Sequence, residues 1–213
     1  MSISIVIPAY NEATRIGEVI RSAISYSNDI LVIDDGSTDN TALVAKNAGA
    51  RVFSHSHTGY IAAIKKGFRE AEGDIIVTID SDGEHRAEDI PRLTSKIINE
   101  NIDLVIGTRK RIPRISERFI NLLTNLRIKN ADSGSGFRAI KKKLALKLHL
   151  NGQCTCGILV LEAFYLGASI AEVPITINTT EKPRGIAWYH FKQIFQVIKL
   201  VSAMEKKRGI AHH

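Results

Sequence analysis

Ile30-Leu31-Val32-Ile33-Asp34-Asp35-Gly36-Ser37-Thr38-Asp39 is the stretch that decides the fold. Four consecutive apolar residues read as a strand buried on both faces. Two carboxylates and a glycine then end it in a turn. Helical apolar spacing resumes over Thr38–Ala48 and is closed by Gly49. A strand that feeds an acidic turn and then a helix is the front half of a βαβ unit.

The same unit recurs on both sides. Upstream, Ile3–Ile7 reads as a strand stopped by Pro8, and Glu12–Ser25 as a helix with Ile16, Val19, Ile20, Ala23 and Ile24 at helical spacing. Downstream, strands at Arg51–Phe53, Ile75–Ile79 and Leu104–Ile106 alternate with helices at Tyr60–Ala71 and Ala87–Asn99. This predicts an α/β fold, a mostly parallel sheet with helices on both faces. After residue 108 the rhythm changes. A basic helix over Ile115–Ile128 carries Ile115, Phe119, Leu122, Leu123 and Leu126. A strand at Phe137–Ile140, a short basic helix at Lys141–Leu148, a helix at Gly157–Tyr165 and a strand at Glu172–Ile177 follow. The final helix, Ala187–Ala203, has one apolar stripe of Trp188, Phe191, Ile194, Phe195, Ile198 and Val201.

Composition narrows the class. Of 213 residues, 44% are hydrophobic and 24% charged, which excludes a disordered chain or a coiled coil. Two cysteines are too few for a disulfide scaffold. No uncharged apolar run reaches the ~18 residues of a membrane span, and the first residues lack a signal-peptide pattern, so a reducing cytoplasm is expected. The formal net charge of +7 hides a split: residues 1–108 carry 10 Lys/Arg and 16 Asp/Glu, residues 109–213 carry 19 and 6. Such asymmetry points to an anionic partner for the second half.

In an open parallel sheet, ligands bind beyond the carboxyl ends of the strands. Three strands end there in polar segments: Pro8-Ala9-Tyr10-Asn11-Glu12, Asp34-Asp35-Gly36-Ser37-Thr38-Asp39 and Asp80-Ser81-Asp82-Gly83-Glu84-His85. Each alone is an ordinary turn or helix cap. Together they crowd carboxylates at one edge, where a hard divalent cation, Mg²⁺ or Mn²⁺, is the natural compensator.

These three segments resemble those of family 2 glycosyltransferases with the GT-A fold. Gly107-Thr108-Arg109, Ser135-Gly136-Phe137-Arg138-Ala139 and Glu172-Val173-Pro174-Ile175 are similar to the polyprenyl-phosphate sugar synthase branch, typified by dolichol-phosphate mannose synthases. The resemblance runs from Ile5 to about Ile177. It implies that residues 1–108 form the nucleotide-sugar half and 109–186 the acceptor and phosphate half of one domain. Residues 187–211 then form a basic amphipathic helix, and 212–213 read as a tag remnant. It implies that Pro8, Ala9, Tyr10 and Glu12 line the nucleoside pocket, with Asp35 and Gly36 at the base or ribose and Asp80 and Ser81 against the nucleotide. Asp82 would hold the metal. Glu84 stands where this branch usually has Gln, a second metal contact. Arg109 and Arg138 would face phosphates, with Arg118, Ser135 and Arg184 as weaker phosphate or acceptor candidates.

The implied activity is inverting, metal-dependent transfer of a hexose from GDP-mannose or a UDP-hexose to a polyprenyl phosphate, as in the lipid-linked steps of protein glycosylation. The physical logic is consistent with it. A phosphomonoester, with a second pKa of ~6, is already an anionic nucleophile and needs cations rather than a base. A hydroxyl acceptor needs a general base. Where hydroxyl-directed relatives carry a Glu-Asp pair, this chain reads Leu161-Glu162-Ala163, and a lone Glu162 on a helix reads as structural. The alternative is a soluble family 2 enzyme with a hydroxyl acceptor. A nucleic-acid-binding protein is a second alternative, but no such motif is visible and the first half is acidic. The final helix, with Lys192, Lys199, Lys206, Lys207 and Arg208 beside its aromatic stripe, suits a membrane interface on the cytoplasmic side. The 115–128 helix, or a membrane-protein partner, would join it there. Cys154-Thr155-Cys156 is too lean for a zinc site, and His149 completes no known spacing. The loop at His55 and His57 departs from the branch, with Tyr60 and Ile61 where relatives carry Lys and Gly.

Overall fold

The computed structural model of the chain describes residues 1–110, 112, 114–129, 132–178 and 189–210, with backbone alone at 189 and 204–210. Strands β1 (Ile3–Ala9), β2 (Asp29–Asp34), β3 (Arg51–Ser54) and β4 (Ile75–Thr78) alternate with helices α1 (Ile16–Ala23), α2 (Thr41–Asn47) and α3 (Tyr60–Glu70). Then come α4 (Ile90–Glu100), β5 (Leu104–Arg109), α5 (Ile115–Asn125), β6 (Arg138–Lys141), α6 (Lys142–Ala145), α7 (Ile158–Tyr165), β7 (Ile170–Ile175) and α8 (Tyr189–Ile210). The seven strands form one sheet in the order β3-β2-β1-β4-β6-β5-β7. All neighbours are parallel except β6, which runs antiparallel between β4 and β5. The second half of the chain therefore completes the sheet of the first.

Side chains alternate across the strands and feed two cores. Ile5, Ile7, Val32 and Val77 pack beneath α1 and α4, while Val6, Ile33, Ile76 and Leu104 pack beneath α3 and α7. All eight are fully buried. Removing the side chain of one, as in Ile76→Ala, costs about 2–5 kcal/mol.

Two local features differ from the reading of the sequence. Pro8 does not stop β1. It pairs with Ile33 of β2, and the ladder to β4 ends at Val6, so the missing N–H of Pro8 falls beyond that ladder. Helix α5 is turned over. Its buried residues are Glu117, Ile120, Asn121 and Thr124, three of them polar. Ile115, Phe119, Leu122 and Leu126 are exposed, and of the expected apolar positions Leu123 packs against the core. Apolar spacing identifies a helix but not which way its apolar side faces.

Helix α8 splits its expected stripe: Ile194 and Val201 pack against the core. Gln193 and His190 are buried beside Val197, while Phe191, Phe195 and Ile198 are exposed. Gln193 clamps the helix to the preceding loop. Its Oε1 accepts from the backbone N–H of Gln153 (2.9 Å) and Cys154 (3.2 Å), and its amide donates to the carbonyls of Cys154 (2.8 Å) and Cys156 (2.9 Å). Trp188, the first member of the expected stripe, lies outside the described residues. No helix among the described residues is long and apolar enough to cross a membrane.

Candidate active site

The first two motifs build one edge together. Asn11 takes a positive φ of 53°, which short polar side chains tolerate. Its Oδ1 accepts from Thr38 N (2.8 Å), its own N–H donates to Ser37 Oγ (2.9 Å), and Glu12 N donates to Thr41 Oγ1 (2.8 Å). The turns after β1 and β2 are thereby locked to each other. Asp35 is buried and accepts from the backbone N–H of Thr58 (2.8 Å) and Gly59 (2.9 Å). It thus folds the 55–59 loop over the edge. Gly36 makes this possible: its φ is +74°, and a Cβ there would lie 2.6 Å from the backbone nitrogen of His57. His57 sits 2.9 Å from the Asp35 carboxylate and packs on Tyr10, with ring centroids 4.4 Å apart.

A cavity of about 600 Å³ opens at this edge and continues toward the start of α8. Ten residues singled out by sequence line it: Pro8, Ala9, Tyr10, Glu12, Asp35, Asp80, Ser81, Asp82, Glu84 and Arg109. Four do not. Gly36 serves the loop contact just described. Ser135 is buried, and its hydroxyl accepts from Phe137 N (3.3 Å). Arg118 is exposed on α5 and donates to Ile112 O (3.2 Å). Arg138 is a correction. It is 1% exposed and donates to Thr155 Oγ1 (2.9 Å) and Ser133 O (3.3 Å). It props the cavity wall from behind rather than facing a phosphate. Arg184 lies outside the described residues.

Sequence reasoning missed the far wall. Tyr60 donates to Asp80 Oδ1 (3.2 Å), and His85 Nε2 lies 3.3 Å from Asp80 Oδ2. Burial and the Asp80 charge push the Tyr60 phenol above its ordinary range, so it stays a donor. Glu117 of α5 meets Arg109 at 3.1 Å, and Asp132 holds Arg109 through Nε (2.7 Å) and Nη2 (3.0 Å). Burial alone would lower the Arg109 guanidinium. The Asp132 and Glu117 carboxylates outweigh it and fix Arg109 as a cation. Glu117 was hidden because it sits on the polar side of a helix read by its apolar side. Glu162 is not part of the cavity. Its carboxylate accepts from the backbone N–H of His149 (2.7 Å) and Leu150 (3.0 Å).

Cys154, Thr155, Cys156 and His190 also line the cavity. The Cys154 hydrogen bond, burial and the Cys154 charge raise the Cys156 thiol above its ordinary range. The two-cysteine motif is not lean in three dimensions, because His190 joins it from 34 positions downstream.

The described lining holds six carboxylates against two arginines, Arg109 and Arg114. A diphosphate cannot settle there without added positive charge. The donor set suits a hard cation. Asp82 is buried, with Oδ1 accepting from Glu84 N (2.8 Å), and the Asp80 carboxylate fills the space that a side chain on Gly136 would take. The carboxylates of residues 80, 82 and 84 do not form a cluster of three within 4.8 Å.

An acidic cavity at the carboxyl edge of a mostly parallel sheet, with an Asp-x-Asp after β4, agrees with what the motifs' resemblance to glycosyltransferases implies. The model of the family "Glycosyl transferase family 2" matches residues 4–160, and the chain belongs to that family. It is 30% identical to an uncharacterized protein of Methanocaldococcus jannaschii, over 92% of this chain and 96% of that one. It is also 30% identical to an undecaprenyl-phosphate 4-deoxy-4-formamido-L-arabinose transferase of an Enterobacter species, over 92% of this chain and 65% of that one. Among solved structures it resembles glucosyl-3-phosphoglycerate synthase from Mycobacterium tuberculosis. The complex with phosphoglyceric acid matches at TM-score 0.78 and 26% identity, and the complex with Mn²⁺, UDP and glucosyl-3-phosphoglycerate at 0.76 and 28%. Both alignments cover 95% of this chain and 79% of the other.

Proposed function

We propose that this glycosyltransferase moves a hexose from a nucleotide diphosphate sugar to the phosphate of a polyprenyl lipid at a membrane surface. The observation that carries the reading is the outward apolar face of α5 and α8. Ile115, Phe119, Leu122, Leu126, Phe191, Phe195 and Ile198 are between 47% and 79% exposed. The same two helices send Glu117 and His190 into the cavity. Large exposed apolar faces are unusual on soluble monomers and mark interaction sites. Exposed Arg118, Lys192 and Lys199 lie among these residues, as an interfacial helix requires on an anionic leaflet. A second cleft, lined by Gln153, Phe191, Lys192, Phe195 and Gln196, shares Gln153 with the main cavity. It offers a path for a lipid tail beside a site for its head.

In this reading Pro8, Tyr10, Glu12 and Asp35 hold the nucleoside, and Asp80, positioned by Tyr60 and His85, faces the nucleotide. Mg²⁺ or Mn²⁺ on Asp82, with Glu84, would neutralise the diphosphate as it leaves. Arg109 and Arg114 hold phosphate charge at the acceptor side. An acceptor phosphate attacks the anomeric carbon without a protein base, inverting its configuration. The burial of Glu162 against backbone donors supports this, since that acid is spent on structure. The family relative named for an undecaprenyl-phosphate substrate supports the same acceptor class. The structures of a synthase named for glucosyl-3-phosphoglycerate favour a second reading, a soluble phosphorylated acceptor whose hydroxyl attacks the anomeric carbon.

The test incubates the protein with Mg²⁺ or Mn²⁺, a short-chain polyprenyl phosphate and labelled GDP-mannose, UDP-glucose or UDP-N-acetylglucosamine in turn. Metal-dependent label in the organic phase from one donor, lost in Asp82→Ala, is expected. Absence of organic-phase label with nucleotide binding intact overturns the lipid acceptor for these donors.

A further inference from the structure

We propose that Cys154, Cys156 and His190 form a second metal site, for Zn²⁺ or a similarly soft divalent ion, at the acceptor end of the cavity. Among the described residues, they are the one group of three His, Cys, Asp or Glu side chains whose ligand atoms lie within 4.8 Å of one another. All three are buried, at 8%, 8% and 1% exposure. Two thiolates and an imidazole are a soft donor set, which favours Zn²⁺ over the Mg²⁺ or Mn²⁺ suited to the carboxylates of residues 82 and 84.

The surroundings are built as a ligand shell is built. The Ser116 hydroxyl lies 2.7 Å from His190 Nδ1. A metal on Nε2 would require Nδ1–H to donate to Ser116, the arrangement that fixes a metal-binding histidine. The cysteine loop cannot drift from the histidine, because Gln193, three residues beyond His190, grips the backbone of Cys154 and Cys156 through three hydrogen bonds. From behind, Arg138 holds Thr155 between the two cysteines. Gln193 is itself fully buried. Three protein ligands leave one tetrahedral position for water or a ligand oxygen, as in zinc sites that keep an open position.

Binding displaces the proton of each thiol to buffer, so two protons leave per ion and affinity rises with pH. The ion would tie α8 to the 153–156 loop and, because it replaces two thiol protons, would leave the net charge of the site unchanged.

The test uses the full reduced chain and Co²⁺ as a spectroscopic probe, then Zn²⁺ in competition with a chromophoric chelator. The expected result is one equivalent of Co²⁺ giving a thiolate-to-cobalt charge-transfer band with tetrahedral d–d bands, displaced by Zn²⁺. Asp82→Ala should keep the band. Ser116→Ala should weaken Zn²⁺ by about tenfold, and Cys156→Ser by more than the roughly 100-fold ceiling for outer partners. No charge-transfer band in the wild-type chain overturns the site, whatever the variants do. So does a band that Asp82→Ala abolishes, or equal Zn²⁺ affinity in wild type and the Cys154→Ser/Cys156→Ser double variant.

Discussion

Replacing Gly136 with alanine should damage the nucleotide side of the site while leaving the fold standing. Gly136 precedes β6, and its carbonyl accepts from Thr78 Oγ1 (2.7 Å). Its backbone is outside the positive-φ region, so alanine brings no conformational strain. The new Cβ would lie 2.1 Å from Asp80 Oδ2 and 2.6 Å from Asp80 Cγ. Ordinary contact begins at 3.4 Å, so the carboxylate must retreat by about 1.3 Å. It cannot retreat and keep both the Tyr60 hydroxyl at 3.2 Å and His85 at 3.3 Å. A displacement near 1 Å in a reacting constellation costs up to about 100-fold, or about 2.7 kcal/mol. The assay is kcat/KM for sugar transfer beside a thermal melt. A loss of about 10–100-fold is expected, with a melting temperature within a few degrees of wild type. Wild-type kinetics would show that the position of Asp80 does not matter and would refute the reasoning.

Other outcomes follow from the same geometry. Arg138→Ala should lower stability by about 3 kcal/mol, by opening a cavity and orphaning Thr155 and Ser133 O, or roughly 6–12 °C in a thermal melt. A variant that melts normally but loses phosphate affinity would return Arg138 to the cavity. Leu122→Glu with Phe195→Glu should cut sedimentation with anionic vesicles at least about tenfold while leaving donor hydrolysis in solution unchanged; unchanged sedimentation would remove the membrane face. Asp103 bridges β5, Lys141 and Ser169, and although burial opposes it, the Lys141 and Ser169 hydrogen bonds hold its carboxyl below the ordinary range. Its stabilising share is therefore present above the ordinary carboxylate pKa and lost as pH falls through the lowered one. Urea titrations between about pH 5 and 2 should show a shallower acid loss in Asp103→Asn than in wild type, and identical slopes would contradict this.

The edge after β1, β2 and β4 was legible because its determinants are local. Apolar runs, turn residues and helical spacing sit within ten positions of each other in Ile30–Asp39, and the topology rule carries them to one edge. The wall built from α5, the 153–156 loop and α8 was not legible, because its determinants are distant in sequence or lie on the polar side of a helix. Glu117 and Asn121 look like the solvent side of an amphipathic helix until α5 is seen with that side inward. Arg138 carries the motif of a phosphate ligand, yet register places it in a strand between β4 and β5 with its side chain buried. His190 meets Cys154 and Cys156 only because Gln193 docks α8 on their loop, a contact with no signature in spacing.

Acceptor choice tests the central claim most directly. With one active nucleotide sugar, the protein would be offered a short-chain polyprenyl monophosphate, the matching phosphate-free polyprenol and 3-phosphoglycerate, and each product identified by mass. The account predicts a glycosyl phosphodiester of the polyprenyl monophosphate and no transfer to the polyprenol. Efficient transfer to 3-phosphoglycerate or to the bare polyprenol, with the monophosphate inert, would contradict it.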